Sequence, residues 1–227
     1  MNSVPGYPQE TQLLAALAAK NSTTRLKAAM AMGTNPEPGY VDALVARCAI
    51  EPDFFVRDML TWALTRFPAN VTVPKLREEL LSEHAQARSQ ALHTLSKIGD
   101  DSAWPAITRS LLHDPNDEVA RSAWRAAAVL VPYGQEEALA AELATQFGRG
   151  DREMRLSLSR AMVALGDLVE PTLRAAMASN DPTVRAHAGA TERLLHDPEA
   201  GFELDVDEAR RVAALGPERE EAMRADR

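Results

Sequence analysis

The chain has 227 residues, 45% of them apolar but only 5% aromatic, and a formal net charge of −8. That acidity argues against nonspecific attraction to nucleic acid or an anionic membrane surface, since both reward basic patches. The single Cys48 excludes an internal disulfide, and no run of about 18 uncharged apolar residues exists to span a bilayer.

Residues 1–9 combine Asn, Ser, Gly and two prolines without apolar periodicity and read as a flexible lead. Helices are then predicted in pairs: 10–20 with 21–32, stopped by Gly33, and, after the linker Thr34–Asn35–Pro36–Glu37–Pro38–Gly39, 40–50 with 53–67. The third pair is 73–81 with 84–98, closed by Gly99, and the fourth is 102–112 with 116–130. The fifth is 136–147 with 151–165, closed by Gly166, and the sixth is 169–179 with 181–195. Residues 196–216 are expected to supply a capping helix, and 217–227 a disordered charged tail. From Asp197 onward there are ten acids and five bases, so much of the chain's acidity lies at this end. Strand signals are nearly absent, and the fold class is all-α.

The second helices share a grammar. An Asx residue stands three positions before an apolar or Thr residue, and an arginine follows: Asn21–Thr24–Arg25, Asp53–Val56–Arg57, Asp151–Met154–Arg155 and Asp181–Val184–Arg185, with His84–Ala87–Arg88 and Asn116–Val119–Ala120 as departures. Successive marks are 32, 31, 32, 35 and 30 residues apart, the spacing of a solenoid. Asn or Asp at the first position can accept from the free N–H groups that open a helix, which makes it an N-cap in five of the six units. Ala28, Leu60, Ala91, Ala123, Leu158 and Ala188 follow four residues after each mark and share its face. The arginine lies at the edge of that face, where its stem covers apolar surface and its head reaches a turn carbonyl or a carboxylate, the capping Asp of an adjacent unit being the natural partner.

Three first helices carry proline, at Pro74, Pro105 and Pro171, and Gly99–Asp100 and Gly166–Asp167 punctuate the units. With phrases such as DPNDEVARSAW and NDPTVRAHA, these residues resemble the HEAT-repeat, armadillo-like family over residues 10–195. The resemblance implies a right-handed superhelical α-solenoid of about six hairpins, with the second helices lining a concave surface, and a general interaction scaffold rather than an enzyme.

Positions two and six beyond the mark point away from the packing face. They place Asp58, Trp62, His93, Arg121, Arg125 and Arg160 in one stripe, with Trp124 near its edge. Trp and Arg often carry binding energy, and three arginines suit an acidic segment or a phosphate. The expected function is a cytoplasmic, non-enzymatic adaptor that binds a protein partner through this stripe. Alternatives are a nucleic-acid-binding module, resembling the HEAT-like alkylpurine DNA glycosylases in its Trp, Arg and carboxylate, and a structural subunit of a larger assembly. Five dispersed His and one Cys offer no metal-ligand spacing, so neither metal nor cofactor is expected. Cys48 and the methionines Met30, Met32, Met59 and Met162 read as core, whereas Phe54 or Phe55 is a candidate exposed contact.

Overall fold

A computed structural model describes residues 7–197, with side chains from Glu10 onward. Every regular element among them is helical, and none of their helices is long and apolar enough to cross a membrane. The capping helix expected within 196–216, beyond Asp197, and the charged tail lie outside the described residues. The chain divides into two compact units, residues 1–126 and 127–227.

In the first unit the hairpins are α1 (Tyr7–Leu17) with α2 (Ser22–Thr34), α3 (Val41–Ile50) with α4 (Phe54–Leu64), and α5 (Ala69–Glu79) with α6 (Ala85–Ile98). A short α7 (Arg109–Leu112) precedes α8 (Asp117–Leu130), within which the unit boundary falls. Successive second helices pack on one another, α2 on α4 and α4 on α6, while α3 also lies against α5 and α6. Their shared face is dry: Ala28, Val56, Leu60, Ala87, Ala91, Val119 and Ala123 are all buried. Small residues let the helices approach closely, and a buried Thr61–Thr94 hydroxyl pair at 3.3 Å links α4 to α6. Thr24, the polar residue at the first mark, is exposed.

The second unit contains α9 (Glu136–Ala144), α10 (Arg152–Val163), α11 (Glu170–Met177) and α12 (Pro182–His196). Here α10 packs on α9 and α12, and α11 on α12. Met154, Leu158, Met162, Leu173 and Ala188 form its buried face.

All five Asx residues cap as expected: the side chains of Asn21, Asp53, Asn116, Asp151 and Asp181 accept from backbone amides two or three residues on. His84 makes no side-chain cap, and its own amide donates to Ser82 Oγ instead. The first helices depart more. The expected helix 102–112 is broken into a 3-10 turn, Asp101–Ala106, and the four residues of α7. Pro105 cannot donate to the helical ladder, and Thr108 is extended at ψ 160°. Likewise 169–179 becomes a 3-10 turn, Gly166–Val169, followed by α11, and α1 starts at Tyr7, inside the expected lead.

Two predicted glycine stops behave differently. Gly99 ends α6 in the left-handed region at φ 71°. Gly33 adopts no such conformation, and α2 ends one residue after it, at Thr34. This glycine lies inside α2, where an added Cβ would sit 2.6 Å from Trp62 Cζ3 and 2.8 Å from Ala63 Cα. Its absent side chain is what allows α2 and α4 to touch at backbone distance.

Candidate binding groove

The arginine after each mark works as a clamp on the turn that precedes its own helix. Arg25 Nη1 donates to the Ala19 and Lys20 carbonyls, Arg57 Nη1 to those of Glu51 and Pro52, and Arg88 Nη1 to those of Ser82 and Glu83. Each pair lies six and five residues upstream. Arg185 repeats the contact with the Ser179 carbonyl. These carbonyls close the first helix of each hairpin and have no helical donor of their own, so the guanidinium fixes where the second helix begins.

The carboxylate partner is not the capping Asp that the sequence suggested. It stands two residues before the cap of the next hairpin. Arg25 makes a bidentate contact at 2.6 Å to both oxygens of Glu51, ahead of Asp53, and Arg88 meets Asp114, ahead of Asn116, at 3.0 Å. Glu51 is fully buried, accepts from Arg47 at 2.7 Å and receives the Asp53 amide. Burial alone would raise its pKa, but the bonds from Arg25, the Asp53 amide and Arg47 outweigh it and bring the carboxyl down to about 2.

So positioned, α4, α6 and α8 enclose a groove of about 270 Å³ on the face opposite their packing seam. Asp58 and Phe54 reach it from α4, Ser89, Gln90 and His93 from α6, and Glu118, Ser122 and Arg125 from α8, with Arg57 at its margin. Arg125 Nη1 donates to His93 Nδ1 at 3.2 Å. A guanidinium only donates, so this nitrogen is bare and the imidazole is neutral. Desolvation lowers the pKa of His93, the charges of Arg125 and Lys97 lower it further, and Asp58 opposes them.

Of the six residues expected in one stripe, the groove brings together Asp58, His93 and Arg125. Trp62 lies one turn beyond Asp58 on α4, 39% exposed, with one ring edge over Gly33 and Arg66 near its face. Arg121 turns along its own helix to Glu118 at 3.1 Å, and its buried Nε finds no partner. It does not stand in for the arginine missing at Ala120. Arg160 is exposed on α10 in the second unit. The groove itself thus contains one of the three arginines, and its lining balances Arg57 and Arg125 against Asp58 and Glu118. Trp124 is not at an edge at all: it is fully buried, and its indole N–H donates to the Leu112 carbonyl at 2.9 Å.

Phe54, absent from the expected stripe, belongs to the groove. It is 65% exposed, makes an edge contact with the 72% exposed Phe55, and carries Arg57 5.9 Å from its centroid. Its position four residues before Asp58 was the available signal, since that spacing puts both on one helix face. Cys48 is buried, and its thiol is pushed up to about 12, mainly by desolvation. Met32 and Met162 are buried, whereas Met30 is exposed. Among the described residues no cluster of three or more His, Cys, Asp or Glu is arranged to hold a metal ion.

One family comparison agrees with this repeat grammar over part of the chain. The model of the family described as HEAT repeats matches residues 52–128. Among solved structures, an engineered protein from the Northeast Structural Genomics Consortium is 20% identical, covers 92% of this chain and 98% of its own, and has a TM-score of 0.46. The complex of CpcE and CpcF of phycocyanin lyase from Nostoc sp. PCC7120 is 20% identical, with coverage of 92% and 91% and a TM-score of 0.48. No curated protein matches the sequence. Over residues 52–128 the family match coincides with the Asx caps and arginine turn clamps, so this stretch of the chain is similar to HEAT repeats.

Proposed function

We propose that this chain is a non-enzymatic scaffold that seats a protein segment in the groove between α4, α6 and α8. The observation that carries the reading is the convergence of Asp58, His93 and Arg125, one from each of three successive second helices, on a single depression. A helical repeat array offers rigid, evenly spaced side chains along a surface, which suits an extended partner better than a compact small molecule. The groove supplies donors and acceptors in Gln90, Ser89 and Ser122, and an exposed aromatic anchor in Phe54. Trp62 and Arg121 serve as flanking contacts, and Arg160 as a separate contact in the second unit.

The test is affinity capture from a native-type extract with the wild-type chain and with a variant carrying Phe54→Ala, His93→Ala and Arg125→Ala, each first shown to be equally helical. A protein held by the wild type and lost from the variant supports the groove. Identical partners on both chains would remove it from consideration. Nucleic acid recovered with the wild type and released by added salt would replace the protein reading with an electrostatic one.

A further inference from the structure

The charged groups lining the groove are not equally available. Arg57 is spent on the Glu51 and Pro52 carbonyls, Arg125 on His93, and Glu118 on Arg121. Asp58 is different: among the described residues it makes no hydrogen bond and no ion pair. Its surroundings are also distinctive. Phe54 stands one turn before it and Trp62 one turn after, so α4 presents an aromatic, a carboxylate and an aromatic at successive i, i+4 positions on one face, all three exposed. Neighbours at that spacing lie about 5–6 Å apart at Cβ, close enough for one ligand group to touch Asp58 and a ring beside it.

We propose that this stripe is a receptor for a cationic side chain, so that the segment taken by the groove is basic, presenting a lysine or arginine to Asp58 with its stem along Phe54, and Trp62 flanking the site on the other side of the carboxylate. The inference rests on the reading of the groove as a protein-segment site and assigns its polarity. A carboxylate with no internal partner favours an incoming cation without first breaking an existing bond. An anion would meet arginines already occupied and the open charge of Asp58. Aromatic faces attract ammonium and guanidinium groups. The long apolar stem of lysine or arginine covers ring surface while its head reaches the carboxylate.

A random-peptide library displayed on phage, selected in parallel on the wild-type chain, Asp58→Asn and Arg125→Ala, tests this polarity. Asp58 is exposed and unbonded, so the Asn variant keeps the fold, which circular dichroism checks. The expected result is enrichment of lysine- or arginine-bearing peptides on the wild type, with synthetic copies binding Asp58→Asn about tenfold more weakly. Enrichment of acidic peptides that depend on Arg125 and tolerate Asp58→Asn overturns the polarity while leaving the groove as a protein-segment site. If no enriched peptide responds to either substitution, the groove reading falls and this inference falls with it.

Discussion

In the first unit Arg25 and Glu51 meet as buried ions, and a second arginine, Arg47, completes the cluster. In the second unit the corresponding interior holds His187, uncharged: its Nδ1 accepts from the Gly148 amide at 3.0 Å, while its other nitrogen contacts the Arg155 carbonyl and Ser159. Ser159 and Thr191 close that network at 2.7 Å. Both arrangements satisfy backbone groups that loops leave open between helices. They differ in what a proton does to them. Removing a partner from the ionic cluster strands a buried charge, whereas adding a proton to the neutral network creates one.

The largest expected effect is therefore Glu51→Ala, which leaves Arg25 buried without its carboxylate. It should cost about 3–5 kcal/mol of stability by urea unfolding. Asp114→Ala should cost less, because Arg88 and Asp114 retain some solvent contact. Equal losses at the two sites would show that burial does not set the worth of these clamps.

Acid should separate the units. Burial lowers the pKa of His187 from 6.5 to about 4 against the opposing bond from the Arg155 carbonyl, with the charge of Arg155 lowering it further. A folded pKa below the unfolded one gives stability that is complete above pH 6.5 and lost as pH falls toward 4, amounting to about 3 kcal/mol. Glu51, lowered from 4.5 to about 2, keeps its contribution until the pH drops below 4.5. Hydrogen exchange, corrected for intrinsic rates, should show α10 and α12 losing protection between pH 6.5 and 4.5 while α2 and α4 hold theirs. His187→Gln, which retains a donor and an acceptor, should flatten that dependence, and a slope unchanged in this variant would assign it to other groups.

Two glycines sharpen the contrast at smaller scale. Gly33→Ala forces a Cβ against the backbone of α4 and should destabilise by about 1–3 kcal/mol. At Gly189 in α12 the nearest atom to an added Cβ is Met177 Sδ at 3.8 Å, so Gly189→Ala should stabilise by about 0.5–1 kcal/mol through helix propensity. Thermal midpoints moving in the same direction would contradict the packing difference. Smallest of all, Asp58→Asn should change stability by less than about 0.5 kcal/mol, as an exposed and unbonded position allows.

The second helices were legible in the sequence because their starts depend on local chemistry: an Asx oxygen meets amides two or three residues away, whatever the rest of the chain does. Arginine as a turn clamp was legible for the same reason. Its acidic partners were not, because Glu51 and Asp114 are 26 residues from Arg25 and Arg88 and differ in identity. Gly33 looked like a stop because glycine at the end of an apolar run is ambiguous until the neighbouring helix is in place. The break in 102–112 depended on how far into the helix Pro105 fell. At the groove, helical angle put Asp58, His93 and Arg125 on one side of their helices, and all three line the same depression. The same rule placed Trp62 and Arg121 only by direction, and what each reaches depends on Gly33 and Glu118.

The buried carboxylate occurs at every other hairpin of the first unit. Arg25 finds Glu51 and Arg88 finds Asp114, but the position two residues before His84 is Ser82, and Arg57 bonds to backbone carbonyls without a carboxylate among the described residues. For anyone lengthening or shortening this array, the natural cassette is therefore two hairpins rather than one. Splicing in a single hairpin places a carboxylate-seeking arginine ahead of a serine, or a buried carboxylate behind an arginine already satisfied. Insertion in twos preserves each guanidinium and its acid together.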